Sequence, residues 1–164
     1  MLFHASKTLK DRRGQPMREA KAGEKRKTAE KTGLPLDWAD DQLRDLTHGD
    51  VAMLALDSTL HGDEDDMRKN PAEWVKSVLL REDISRPISE ALTSGDGWVE
   101  IDVAQRNLLK DRLAKLVVLH GLRTVGPVLE ALANPPKERP RKAGKGKANG
   151  KNAGDAASPA EASA

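Results

Sequence analysis

Residues 102–121, DVAQRNLLKDRLAKLVVLHG, decide the fold class. Leu109, Leu113, Leu116 and Val117 recur at steps of three and four, which lines them along one side of a helix. Arg106, Lys110, Asp111 and Lys115 fall largely off that stripe. Asp102 is suited to cap the helix, because its carboxylate can accept from a backbone N–H of the first turn. His120-Gly121 closes it, since glycine takes the left-handed backbone of a helix end without steric cost. Thr124 then opens a last helix that puts Leu122, Val125, Leu129 and Leu132 on one face. Pro127 falls in its first turn, where a missing N–H costs little. Asn134-Pro135-Pro136 stops it.

Upstream, the same start signals repeat. Asn70-Pro71-Ala72-Glu73 opens a helix with Trp74, Val75, Val78 and Leu79 on one face. Ile84, Pro87, Ile88 and Leu92 predict a second short turn or helix before the break at Ser94-Gly95-Asp96-Gly97. Thr47 with Asp50 makes a variant capping box ahead of Val51, Met53, Leu54, Leu56 and Leu60. Asp37 caps a short helix that turns Trp38, Leu43 and Leu46 inward. Near the N-terminus, Asp11 and Gly14 bracket a tight turn, with strands predicted over residues 3–9 and 15–18. Two strands alone are marginal, so this hairpin needs a surface to lean on, and the extended stretch Trp98–Ile101 is a candidate to pair with it. The prediction is a mostly α protein: a small helical domain with a short N-terminal β-hairpin and a disordered C-terminal tail. Residues 1–18 form the hairpin arm, 19–33 a charged linker or frayed helix, 34–133 the helical domain, and 134–164 a basic low-complexity tail with no large apolar side chain to offset ordering.

The 164 residues suffice for one domain. Cysteine is absent, which excludes a disulfide-stapled scaffold, a thiolate metal site and a cysteine nucleophile. No continuous apolar run reaches the length of a membrane span and no signal-peptide core stands at the start, so a soluble, intracellular protein without membrane contact is expected. The net charge of +2 hides an asymmetry. Residues 1–33 hold 10 Lys/Arg and 4 Asp/Glu, residues 34–133 hold 11 and 19, and residues 134–164 hold 7 and 3. An acidic body between two basic arms suggests polyanion contact through Lys25, Arg26, Lys27, Arg139, Arg141 and Lys142, since neutralising phosphates releases counterions. The arms are equally readable as solvated chain, and they lack the aromatic interleaving of single-strand binders.

Chemical constellations are few. His48-Gly49-Asp50 recurs as His61-Gly62-Asp63, and imidazole–carboxylate pairs are metal-ligand types. A helix start explains the first pair and an exposed interhelical loop the second, so no metal is expected. Ser58, His61 and Asp63 have the residue types of a nucleophile, base and orienter but no supporting motif. Gly144-Lys145-Gly146-Lys147 lacks the strand, helix and hydroxyl of a phosphate loop. No catalytic or cofactor-binding residue is assigned. Amphipathic helices are the most informative feature. Leu109, Leu113, Val125 and Leu129 are the candidate partner-binding face, and they are also the leading core candidates.

Leu9-Lys10-Asp11-Arg12-Arg13-Gly14-Gln15-Pro16-Met17 resembles an N-terminal Leu-Lys-Asp-x-x-Gly-x-Pro-Ile hairpin. Leu46-Thr47-His48-Gly49-Asp50-Val51-Ala52 is similar to the Leu-Thr-x-Gly-Asp-Val segment that follows it, and residues 99–116 with 122–132 resemble its closing helices. That order of motifs is the pattern of a small protein family of tailed bacteriophages and prophages. The chain departs from it in a Lys/Glu-rich insertion and in Pro127. The resemblance implies a phage origin, residence in the bacterial host cytoplasm or on the virion, and a non-enzymatic task in head or tail assembly with a phage structural protein as partner. The alternative reading is a nucleic-acid-associated phage regulator gripping phosphate with its basic arms.

Overall fold

The computed structural model describes residues 1–29 and 35–139. The described chain is mostly α with short strands at its N-terminal side, the architecture the sequence predicts. β1 (Leu2–His4) does not continue into the hairpin. It pairs antiparallel with β4 (Trp98–Glu100), Phe3 opposite Val99, so the stretch after the glycine break does join the N-terminal arm. The Asp11–Gly14 turn forms as read. The Gly14 N–H donates to the Asp11 carbonyl at 3.0 Å, and the Asp11 carboxylate accepts from the Arg13 and Gln15 N–H groups at 2.8 and 2.9 Å. Its rungs, Lys10 with Pro16 and Leu9 with Met17, make a hairpin shorter than the 3–9 and 15–18 strands predicted.

β2 (Arg18–Ala20) pairs with β3 (Leu43–Asp45), which corrects two expectations. Glu19 and Ala20 belong to a strand rather than to a linker, and the residues after Asp37 form a 3-10 turn, Asp40–Gln42, followed by β3 rather than an α-helix. The physical reason is Gln42. Its side chain is buried, donates to Glu24 at 2.9 Å and accepts from the Ala39 N–H at 3.3 Å, which draws the 24–25 segment onto the turn. Linker residues 30–33, and residue 34 after them, lie outside the described residues.

α1 (His48–Asp57) starts with the expected box: the Asp50 N–H donates to Thr47 Oγ1 at 3.2 Å and the Thr47 N–H to Asp50 Oδ2 at 2.8 Å. It is the central helix, packed on both α3 (Pro71–Ser94) and α4 (Val103–Ala133). A Cβ at Gly49 would stand 3.0 Å from the Leu92 methyls and 3.1 Å from the Ala5 Cβ, so this approach of backbone to neighbours requires glycine. Between α1 and α3, residues 61–66 have the composition of an exposed loop, yet α2 (Asp63–Lys69) forms there. Four acids in its first turn and Arg68 and Lys69 in its last complement the helix dipole.

α3 is one helix rather than two. Pro71 occupies its first turn as predicted, whereas Asn70 makes no side-chain cap bond. Pro87 sits inside it and forfeits one backbone hydrogen bond. Ile84, Ile88 and Ala91 nevertheless keep a continuous buried stripe through that point. α4 opens on a reciprocal cap, the Gln105 N–H donating to Asp102 at 2.8 Å and the Asp102 N–H to Gln105 at 2.9 Å. Gly121 (φ 73°, ψ 157°) breaks it where the sequence ends the helix, but the turns resume at residue 122, which puts Pro127 a turn deeper than predicted. An 18-residue window of α4 has a mean hydropathy of 1.4, enough by length and composition to cross a membrane, where no such stretch was expected. The Gly121 break divides α4 into 103–120 and 122–133, each shorter than the roughly 20 residues of a span.

A single core joins Phe3, Leu9, Val51, Leu56, Ile84, Ile88, Val99, Ile101, Leu109, Leu113, Leu116, Val125 and Leu132. After α4 the chain turns back, and Arg139 pairs with Asp96 at 3.1 Å. From residue 140 onward the predicted disordered tail lies outside the described residues.

Candidate functional site

The most elaborate polar cluster in the described chain is built on Arg112, which is 1% exposed. Its Nη1 reaches both carboxylate oxygens of Asp63, at 2.6 and 2.7 Å. Its Nε donates to the Ala55 carbonyl at 3.0 Å and its Nη2 to the Ser58 carbonyl. Asp63 also accepts from the Leu60 N–H at 2.9 Å and lies 3.8 Å from Arg81, whose guanidinium covers the Trp74 ring at 4.6 Å. One side chain of α4 thereby ties the C-terminal end of α1 to the start of α2. Burial would raise the Asp63 carboxyl, but the hydrogen bonds from Arg112 and Leu60 outweigh it and hold it below the ordinary carboxylate value. Arg81 is shifted downward by burial and by the Arg112 charge, with Asp63 opposing. A cleft of about 230 Å³ adjoins the cluster, lined by Trp74, Ser77, Arg81, Asp111 and Lys115.

The two His-Gly-Asp sequences are not brought together. Asp50 caps α1 and pairs with Arg44 at 2.8 Å, Asp63 is committed to Arg112, and His61 is exposed. Ser58 contributes only its carbonyl to Arg112, so Ser58, His61 and Asp63 do not assemble as a catalytic set. Among the described residues no group of three or more His, Asp or Glu side chains converges.

The candidate partner face needs correction. Leu109, Leu113 and Val125 are 0% exposed in the protein's own core, and Leu129 is half-buried against it. Leu122, the first residue after the Gly121 break, is exposed, whereas Val125 three residues on is buried in the core. Solvent-facing apolar side chains include Val118, Leu119 and Leu122 around the break and Val75, Val78 and Leu79 on α3, with Val103, Met67, Leu36 and Leu54 exposed elsewhere. Of the basic candidates, Lys25 and Lys27 are exposed, Arg26 donates to the Leu36 carbonyl at 2.6 Å, Arg139 is held by Asp96, and Arg141 and Lys142 lie outside the described residues.

Sequence reasoning missed a groove between the N-terminal segment and the end of α4. One part, about 700 Å³, is lined by Lys7, Thr8, Lys10, His48, Pro127 and Glu130. It adjoins a second part of about 480 Å³ that runs past Trp98 to Pro136 and shares Lys7 and His48 with the first. His48 is 2% exposed, and the Nδ1 atoms of His48 and His4 have no hydrogen-bond partner among the described residues. Burial, then the charges of Lys7 and His4, push the His48 imidazole down to about 4, so it is neutral at neutral pH. Compared with protein-family models, curated proteins and solved structures, the chain matches none.

Proposed function

We propose that the protein is a non-enzymatic bacteriophage accessory factor that serves head or tail assembly by holding a structural protein of the particle. The observation that carries this reading is the apolar knob at the α4 break, where Val118 is 84%, Leu119 63% and Leu122 66% exposed. Fully burying an aliphatic side chain contributes about 1.5–3 kcal/mol, so these three supply a binding core if a partner covers them. The phage assignment rests on the resemblance of the Leu9–Met17 and Leu46–Ala52 segments.

The test is an affinity capture from phage-infected or induced cells in ~0.5 M salt, which screens exposed charge contacts. The full-length protein is expected to retain a phage structural protein. The Val118→Asp/Leu122→Asp variant is expected to keep its circular dichroism spectrum and lose that partner, whereas Leu113→Asp unfolds the chain. Failure to retain any phage structural protein, or equal retention by the surface variant, overturns the reading.

A further inference from the structure

Among the described residues β4 has a strand partner on one edge only, β1. In an antiparallel pair, bonded and non-bonded residue pairs alternate along the ladder. The Ala5 N–H donates to the Gly97 carbonyl at 2.7 Å, and the Ile101 N–H to the Met1 carbonyl at 2.9 Å. Val99, midway between these rungs and opposite Phe3, therefore also turns its backbone groups to β1. Trp98 and Glu100, opposite His4 and Leu2, fall at the non-bonded positions and turn their N–H and C=O groups to the other edge. Trp98, Val99 and Glu100 line one side of a groove of about 330 Å³, and Pro87, Glu90, Ala91 and Ser94 of α3 line the other. The Gly97 N–H donates to the Ala91 carbonyl at 3.2 Å, which fixes the two sides to each other. The charged side chains lining the groove are all carboxylates, Glu90, Asp96 and Glu100, and all three residues are exposed. Asp96 already holds one cation: Arg139, arriving from beyond α4, brings its guanidinium to 3.1 Å.

We infer that this groove takes an extended, basic segment of a partner protein, added as a third strand to the free edge of β4. The outward N–H and C=O groups of Trp98 and Glu100 select an extended backbone, because only a strand meets main-chain groups two residues apart. The carboxylates on both sides of the groove select lysine or arginine side chains on that strand, and they repel a nucleic acid or an acidic peptide. This surface is separate from the apolar knob of α4, so the inference stands whether or not that knob holds a protein of the particle.

The experiment is fluorescence anisotropy of a labelled peptide that alternates lysine with valine, titrated with the full chain at low salt. Saturable binding is expected. The same peptide, N-methylated at alternate residues, keeps its charge and loses the donors of one edge, and it should bind about tenfold more weakly or worse. Glu100→Gln keeps the outward N–H and should weaken binding by less than about fivefold, as an exposed charge contact does. Glu100→Pro removes that N–H without touching a bond to β1, and it should bind about tenfold more weakly than Glu100→Gln. In amide NMR spectra of the unaltered protein, the Trp98 and Glu100 signals should move most on addition of peptide. The methylated peptide and the NMR both use the unaltered chain, so they decide the matter even where Glu100→Pro unfolds. Absence of binding, equal affinity of the methylated peptide, or unmoved Trp98 and Glu100 amides overturns the inference. Protection of those two amides from hydrogen exchange before any peptide is added also overturns it, since another segment of this chain or a second copy then holds the edge.

Discussion

The Arg112 guanidinium faces both carboxylate oxygens of Asp63, at 2.6 and 2.7 Å, with each side chain at 2% exposure or less. An ion pair so far from water gains strength from the low local dielectric, but each partner becomes costly once alone. The remaining donors of Arg112 go to the Ala55 and Ser58 carbonyls, so the pair also satisfies backbone acceptors at the end of α1.

Removal of one partner is therefore expected to be severe. Arg112→Met and Asp63→Asn should each lower stability by about 3–5 kcal/mol, the range for stranding a buried charge or its hydrogen-bond partners. Arg112→Met/Asp63→Leu should cost less than the sum of the single changes, because no charge is left buried. Urea denaturation of the four proteins measures this.

Acid should weaken the fold in two stages. His48 has a folded pKa of about 4 against about 6.5 when unfolded, so between those values the unfolded chain binds the extra proton. Stability then falls as pH drops from about 6.5 to 4, by on the order of 2–3 kcal/mol. Asp50 and Asp63 are shifted below the ordinary carboxylate value: in each, burial pushes upward and is outweighed by hydrogen bonds from Thr47 and Arg44, or from Arg112 and Leu60. Their contribution is present above about pH 4 and is lost as the pH falls further. His48→Asn should flatten the first stage and leave the second, as read from urea midpoints across the pH range.

Gly49→Ala tests close packing. Near a helix start the added methyl gains at most about 1 kcal/mol in propensity, while overpacking costs about 1–3 kcal/mol. With Leu92 and Ala5 only 3.0–3.1 Å from the new atom, the crowding should win, and the melting temperature should fall by several degrees.

Gly121→Ala tests the break in α4. No atom lies within 4 Å of the added methyl, so sterics with neighbours are irrelevant. A φ of 73° with ψ of 157° belongs to a backbone region essentially restricted to glycine, and alanine should cost about 1–3 kcal/mol there. Thermal melts of the variant check the loss.

The helix caps at Thr47 and Asp102 and the break at Gly121 were legible because each depends on a few neighbouring residues. The pairing of Trp98–Glu100 with the N-terminal arm was legible as well, since a short strand needs a partner and few were on offer. The reading failed where distant residues decide. Asp63 looks like loop composition until Arg112 is known to face it. That arginine, set among Leu109, Leu113 and Leu116, was the available sign that a core position carries a charge needing an opposite. Gln42 likewise has no local signal for burial. The partner face was misplaced because amphipathic spacing marks what is buried without saying by what.

The pairing of β1 with β4 also governs how the protein comes into being. Leu2 cannot meet Glu100 until the ribosome has released the second of them, roughly 5–20 s after the first at ordinary elongation rates. Until then Phe3 has no Val99 to cover it, and the nascent arm waits as an unpaired, partly apolar thread. Folding is consequently a late event in synthesis, and fragments ending before residue 98 should remain protease-sensitive however well their own helices are capped.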